Sequence, residues 1–97
     1  MPTDTITKDK VKDKTNINLG RPHSVILFND TIHSFDEVIS QIVKAIKCTA
    51  GHASGLANKA HSEGQAVVFT GNLERCELVD SILGGAPVNL RTKIEEA

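Results

Sequence analysis

Tryptophan and tyrosine are absent from this 97-residue chain, and its three phenylalanines are its entire aromatic complement. So few aromatic faces offer little for nucleic-acid bases to stack on. An excess of positive charge is also missing. The 11 Lys and Arg stand against 12 Asp and Glu, a formal net charge of -1, whereas a phosphate backbone calls for a basic surface. No nucleic-acid partner is expected. No apolar run approaches the roughly 20 residues needed to span a bilayer, and Met1-Pro2-Thr3-Asp4 lacks the charged-then-apolar order of a secretion signal. The expected setting is the cytoplasm, or the stroma-like compartment of an organelle, with no membrane partner.

The signatures of common catalytic and metal sites are missing as well. Cys48 and Cys76 fall inside predicted helical segments without CxxC spacing, so they read as reduced thiols. His23, His33, His52 and His61 have no HExxH or CxxC companion, which leaves no spacing that argues for a metal. There is no GxSxG and no glycine-rich phosphate loop, and Gly84-Gly85 closes a predicted helix rather than opening one. Asp36-Glu37 lie in a first helical turn, where acidic residues complement the dipole. An enzyme needs a nucleophile with its base, paired carboxylates or a metal set. The chain is therefore read as non-enzymatic, without a cofactor.

What is present is one compact domain behind a polar leader. Residues 1–20 mix Lys8, Lys10, Lys12 and Lys14 with Asp4, Asp9, Asp13 and several Thr, and show no sustained apolar period. Such a segment buries too little to offset its ordering entropy, so a flexible arm is expected there. Residues 21–97 form the domain. His23 to Phe28 is an apolar run that reads as a buried strand. Phe35, Val38, Ile39, Ile42, Val43 and Ile46 then recur at helical period, and Ser34 with Glu37 makes a capping box at the start.

Thr49 caps a second predicted helix, rich in Ala and Gly, that stops at Gly64. Gln65 to Thr70 reads as a second strand. Thr70 or Asn72 opens a third helix with Leu73, Cys76, Val79, Ile82 and Leu83 on one side. After Pro87, the alternation of Val88, Leu90, Thr92 and Ile94 predicts an edge strand. The order β-α-α-β-α-β gives an α+β sandwich, a three-stranded sheet packed against three helices, and a monomer is expected.

The informative stretch joins the first strand to the first helix. It presents an amide and a carboxylate, Asn29 and Asp30, beside apolar Ile32 and Phe35. Polar groups on a loop held by a rigid scaffold are typical binding groups, here suited to a small cation with an apolar neighbour. His61 sits in the last turn of the second helix, on one face with Ala57 and Ala60.

Two blocks, Val25-Ile26-Leu27-Phe28-Asn29-Asp30 and Ala57-Asn58-Lys59-Ala60-His61-Ser62-Glu63-Gly64-Gln65-Ala66-Val67, with Pro87-Val88 near the end, resemble the ClpS adaptors. Members of that family recognise the N-terminal residue of degradation substrates, the N-degron of the N-end rule, and deliver them to a Clp AAA+ unfoldase. The resemblance covers about residues 21 to 94 and implies an adaptor whose partners are a ClpA- or ClpC-like unfoldase and N-degron peptides.

By position, it implies that Asn29, Asp30 and His61 hold a substrate α-amino group. A free α-amine has a pKa of about 7.7–8.0 and is mostly an ammonium at neutral pH, which favours a carboxylate, an amide oxygen and a neutral imidazole as acceptors. Ile32, Phe35, Val38, Ala57, Ala60 and Val88 would form the hollow for the first side chain, with Thr31 and His33 as accessory loop residues. Affinity is expected to fall as pH drops through the ordinary imidazole range, since a protonated ring has no acceptor and repels the ammonium.

The chain departs from the family pattern at several points. Thr31 stands where the family has a second Asp, Phe35 and Ala57 stand where it has pocket methionines, and Glu77 stands where many members carry a docking Lys. The competing reading is a non-catalytic interaction domain of the same fold that modulates a Clp chaperone without recognising an amine.

Overall fold

The computed structural model describes residues 21–97, and the expected arm at 1–20 lies outside them. In chain order the elements are β1 (His23–Phe28), α1 (Phe35–Ile46), α2 (Ala50–Glu63), β2 (Gln65–Gly71), α3 (Leu73–Gly84) and β3 (Thr92–Glu96). The fold is α+β, with a three-stranded antiparallel sheet ordered β2-β1-β3. The most continuous apolar run therefore takes the centre of the sheet, where both its edges are paired.

Side chains alternate across a strand, so Val25 and Leu27 of β1 share a face. Together with Ala66 and Val68 of β2 they join one buried cluster with residues of all three helices. On α1 the stripe delivers Val38, Ile42 and Ala45 to that cluster, while Phe35 at its first turn remains 40% exposed. The helix starts as its sequence directs: the Ser34 hydroxyl accepts from the Glu37 amide at 3.1 Å, and the Glu37 carboxylate accepts from the Ser34 amide at 2.8 Å. Gln41, buried on the same helix, donates from Nε2 to the Ile82 carbonyl at 3.0 Å, fastening α1 to α3.

Helix α2 buries only alanines, Ala53, Ala57 and Ala60. Alanines add little bulk to that face, which permits a close approach of its neighbours. Helix α3 opens at Asn72, whose side chain accepts from the Arg75 amide at 2.8 Å, and buries Cys76, Val79 and Leu83.

Three expectations are corrected. Cys48 lies in the connector between α1 and α2, not within a helix. Leu73 is 43% exposed rather than on the inner side of α3. The last strand begins at Thr92, not at Val88. The Asn89 amide donates to the Gly85 carbonyl at 2.9 Å and the Leu90 amide to the Leu83 carbonyl at 3.0 Å. These bonds fold the segment back onto the end of α3 before it reaches β1. Leu90 is nevertheless buried, so the alternation reported burial correctly and strand pairing incorrectly.

Candidate functional site

The loop between β1 and α1 is tied down from within and from outside. Asp30 Oδ1 accepts from the Ile32 amide at 2.6 Å and the His33 amide at 3.0 Å, a local turn that aspartate forms readily. Its Oδ2 lies 2.6 Å from His33 Nδ1, with both side chains mostly buried. Burial pushes the Asp30 carboxyl up, but the His33 side chain, the two amides and the imidazole charge outweigh it, and the group titrates below its ordinary value.

The outside tie runs to α2. The Asn29 amide donates to the Gly64 carbonyl at 2.9 Å, and the Gly64 amide donates to the Ala60 carbonyl at 2.9 Å. Gly64 closes the helix at φ 91°, a left-handed conformation in which a side chain is strained. The helix cap and the loop are thus one hydrogen-bonded unit, which carries the last turn of α2, and His61 with it, to the mouth of the loop.

Between loop, α1 and α2 lies a cavity of about 380 Å³. Its apolar wall is Leu27, Phe28, Phe35, Val38, Ala57 and Ala60, and its polar rim is Asn29, Asp30, Thr31, His33 and His61. A hollow that is apolar inside and carries a few acceptors at its edge holds a ligand with a greasy body and a polar or cationic head. A carboxylate offers about four acceptor directions. Three are taken at Asp30 within the loop, which leaves room for one more donor.

The structure brings together nine of the residues singled out from sequence: Asn29, Asp30, Thr31, His33, Phe35, Val38, Ala57, Ala60 and His61. Ile32 and Val88 do not line this cavity. Ile32 is 87% exposed because the Asp30 turn points it away, and it borders a neighbouring depression. Val88 is half-buried against the core in the turn that follows α3. Leu27 and Phe28 were missed as lining residues. Strand alternation carried the signal for Leu27, the last inward residue before the loop.

Among the described residues, no three His, Cys, Asp or Glu side chains gather as a metal site. No helix there is long and apolar enough to cross a membrane.

Comparisons with known proteins match more than half of the chain. The chain is 34% identical over 58 residues to the human E3 ubiquitin-protein ligase UBR2, which covers 60% of this chain and 3% of that protein. It is 39% identical over 57 residues to the ATP-dependent Clp protease adapter protein ClpS of Thermosynechococcus vestitus, which covers 58% of this chain and 61% of that one. The chain thus spans less than two thirds of either relative. A solved structure titled as Agrobacterium tumefaciens ClpS2 bound to L-phenylalaninamide shares the fold, with a TM-score of 0.74 over 80% of this chain and 99% of that one, at 18% identity. The family model described as the ATP-dependent Clp protease adaptor protein ClpS matches residues 19–84. The chain belongs to the ClpS family.

Proposed function

We propose that this protein is an adaptor that holds proteins by a free N-terminus bearing an apolar first residue and passes them to a Clp AAA+ unfoldase. The observation that carries this reading is the pairing of an apolar cavity with a rim of Asn29, Asp30 and His61, contributed by two elements that the Asn29–Gly64 bond joins. An ammonium at the rim meets the Asp30 charge, the Asn29 amide oxygen and the His61 ring. An internal peptide nitrogen has a single N–H and no charge, and is refused.

The ligand named in the Agrobacterium structure supports the reading. L-Phenylalaninamide combines a free α-amine, an apolar side chain and a capped carboxyl, the chemistry of a chain's first residue. More than half of the chain is matched both by ubiquitin ligases and by Clp adapters. A stretch found both within a ligase chain and in a stand-alone adapter fits a binding module that serves different enzymes.

Burying a Leu or Phe side chain contributes about 1.5–3 kcal/mol, and each charge-assisted hydrogen bond about 1.5–3 kcal/mol more. Association entropy removes much of that sum, leaving affinity near micromolar on the ordinary scale. Fluorescence anisotropy with labelled peptides starting in Leu, Phe, Tyr or Trp tests it. Binding of at least one series at roughly micromolar Kd is expected, and binding of none overturns the proposal.

One observation favours the competing reading, an interaction domain on a Clp chaperone without amine recognition. The loop itself uses most of the acceptor capacity of Asp30. Unfoldase capture that survives Asp30→Ala, with no peptide binding in the parent protein, selects that reading.

A further inference from the structure

A second hollow, of about 410 Å³, shares Asn29, Asp30, Thr31 and His33 with the apolar cavity, so the loop is their common wall. The residues that set the second hollow apart are Ile32, Asn89, Leu90 and Arg91. The Arg91 guanidinium lies 5.0 Å from the centre of the Phe28 ring. Lys93 Nζ lies 5.9 Å from the same ring centre and 2.9 Å from the Glu95 carboxylate. A cation over an aromatic face is held in place by the ring quadrupole. Arg91 is therefore a positioned charge at the edge of this hollow, while the Asp30 carboxylate in the shared wall is engaged by its own loop.

We propose that this second hollow takes the second side chain of a bound peptide and favours an acidic one. The inference rests on the amine-anchoring reading above and specifies the substrate further. Successive side chains of an extended chain point to opposite sides, on Cα atoms about 3.8 Å apart. A peptide that turns its first side chain into the apolar cavity turns its second across the loop wall. With the ammonium beside Asp30, the charge left facing the second hollow is that of Arg91. A glutamate there meets the guanidinium with its carboxylate and the exposed side chain of Ile32 with its methylenes. A lysine meets like charge.

The test is fluorescence anisotropy on the full chain with labelled peptides that differ only at position two, carrying Glu, Gln or Lys after Leu and, in a second series, after Phe. At an exposed ion pair, Glu is expected to bind about two- to fivefold tighter than Gln, with Lys weakest and the gap closing as salt rises. Arg91→Gln should bring the Glu peptides down to the affinity of the Gln peptides, and Arg91→Lys, which keeps the charge, should retain the Glu preference; the backbone tie of residue 91 to β1, its carbonyl accepting from the Phe28 amide, is common to all three proteins. Equal affinity for the three second residues, with a free N-terminus still required, overturns this inference and leaves the amine-anchoring reading standing. A Glu preference that persists in Arg91→Gln also overturns it. Failure of every free-amine peptide to bind overturns both.

Discussion

Filling the cavity from its floor separates a receptive void from a gap between well-packed elements. Ala57 is 4% exposed on α2 and lines the apolar wall, so Ala57→Phe projects a phenyl ring into the space that a substrate side chain would occupy. If the about 380 Å³ is open, the ring enters it and buries apolar surface worth about 1.5–3 kcal/mol. Against this stands roughly 0.5 kcal/mol of lost helix propensity. The variant should then be at least as stable as the parent. Binding should lose the contribution of the first side chain, which at about 1.4 kcal/mol per factor of ten in Kd amounts to about one to two orders of magnitude. With no Trp or Tyr in the chain, urea unfolding is best followed by circular dichroism, with peptide anisotropy reporting affinity. If the elements are already close-packed, overpacking costs about 1–3 kcal/mol. A clear loss of stability, or undiminished peptide affinity, would refute the reasoning.

Three further substitutions probe the scaffold. Gly64→Ala places a side chain at φ 91° and should cost about 1–2 kcal/mol in urea unfolding; because Gly64 also holds Asn29, peptide affinity should fall with it, and unchanged affinity would show that the loop does not need the tie. Gln41→Met removes one donor to the Ile82 carbonyl, which still accepts from the Gly85 amide, and should cost about 0.5–1.5 kcal/mol with peptide binding unaltered. Asp30 has a folded-state pKa below its ordinary 3.8, so the stability it contributes is present above that pH and lost as pH falls through the depressed value. Asp30→Asn should therefore flatten the acid limb of unfolding free energy against pH below about 3.8, and parallel curves for parent and variant would contradict the assignment.

Legibility in the sequence followed how locally each feature is encoded. The helix starts at Ser34 and Thr49 were readable because a cap depends on residues within one turn, and the third was narrowed to Thr70 or Asn72, of which Asn72 caps it; each of the three side chains accepts from the amide three residues on. The α1 stripe was readable for the same reason. The last strand was not, because alternation at Val88 and Leu90 reports which side is buried and cannot tell a ladder from a chain that spends its amides on a helix end. At the rim of the cavity, the Asn29-Asp30 loop was readable from residue type, whereas His61 was grouped with it only through the resemblance to the ClpS adaptors; the link between them, Asn29 to Gly64, runs through backbone atoms and leaves no trace in composition. Ile32 was misplaced because apolar character was taken to mean inward, whereas the Asp30 turn decides where the residue points. His33 read as an accessory group; its bond to Asp30 makes it the residue that orients the carboxylate.

The reading turns on whether the rim recognises a charged terminal nitrogen. Isothermal titration calorimetry with one Leu- or Phe-initiated peptide, in its free form and N-acetylated, addresses that directly, because acetylation removes the charge and two donors while leaving the side chain unchanged. The account predicts that the free peptide binds and that the acetylated one binds at least about a hundredfold more weakly, the loss expected for two charge-assisted hydrogen bonds at the low end of their range. Equal heats and affinities for the two forms would contradict it.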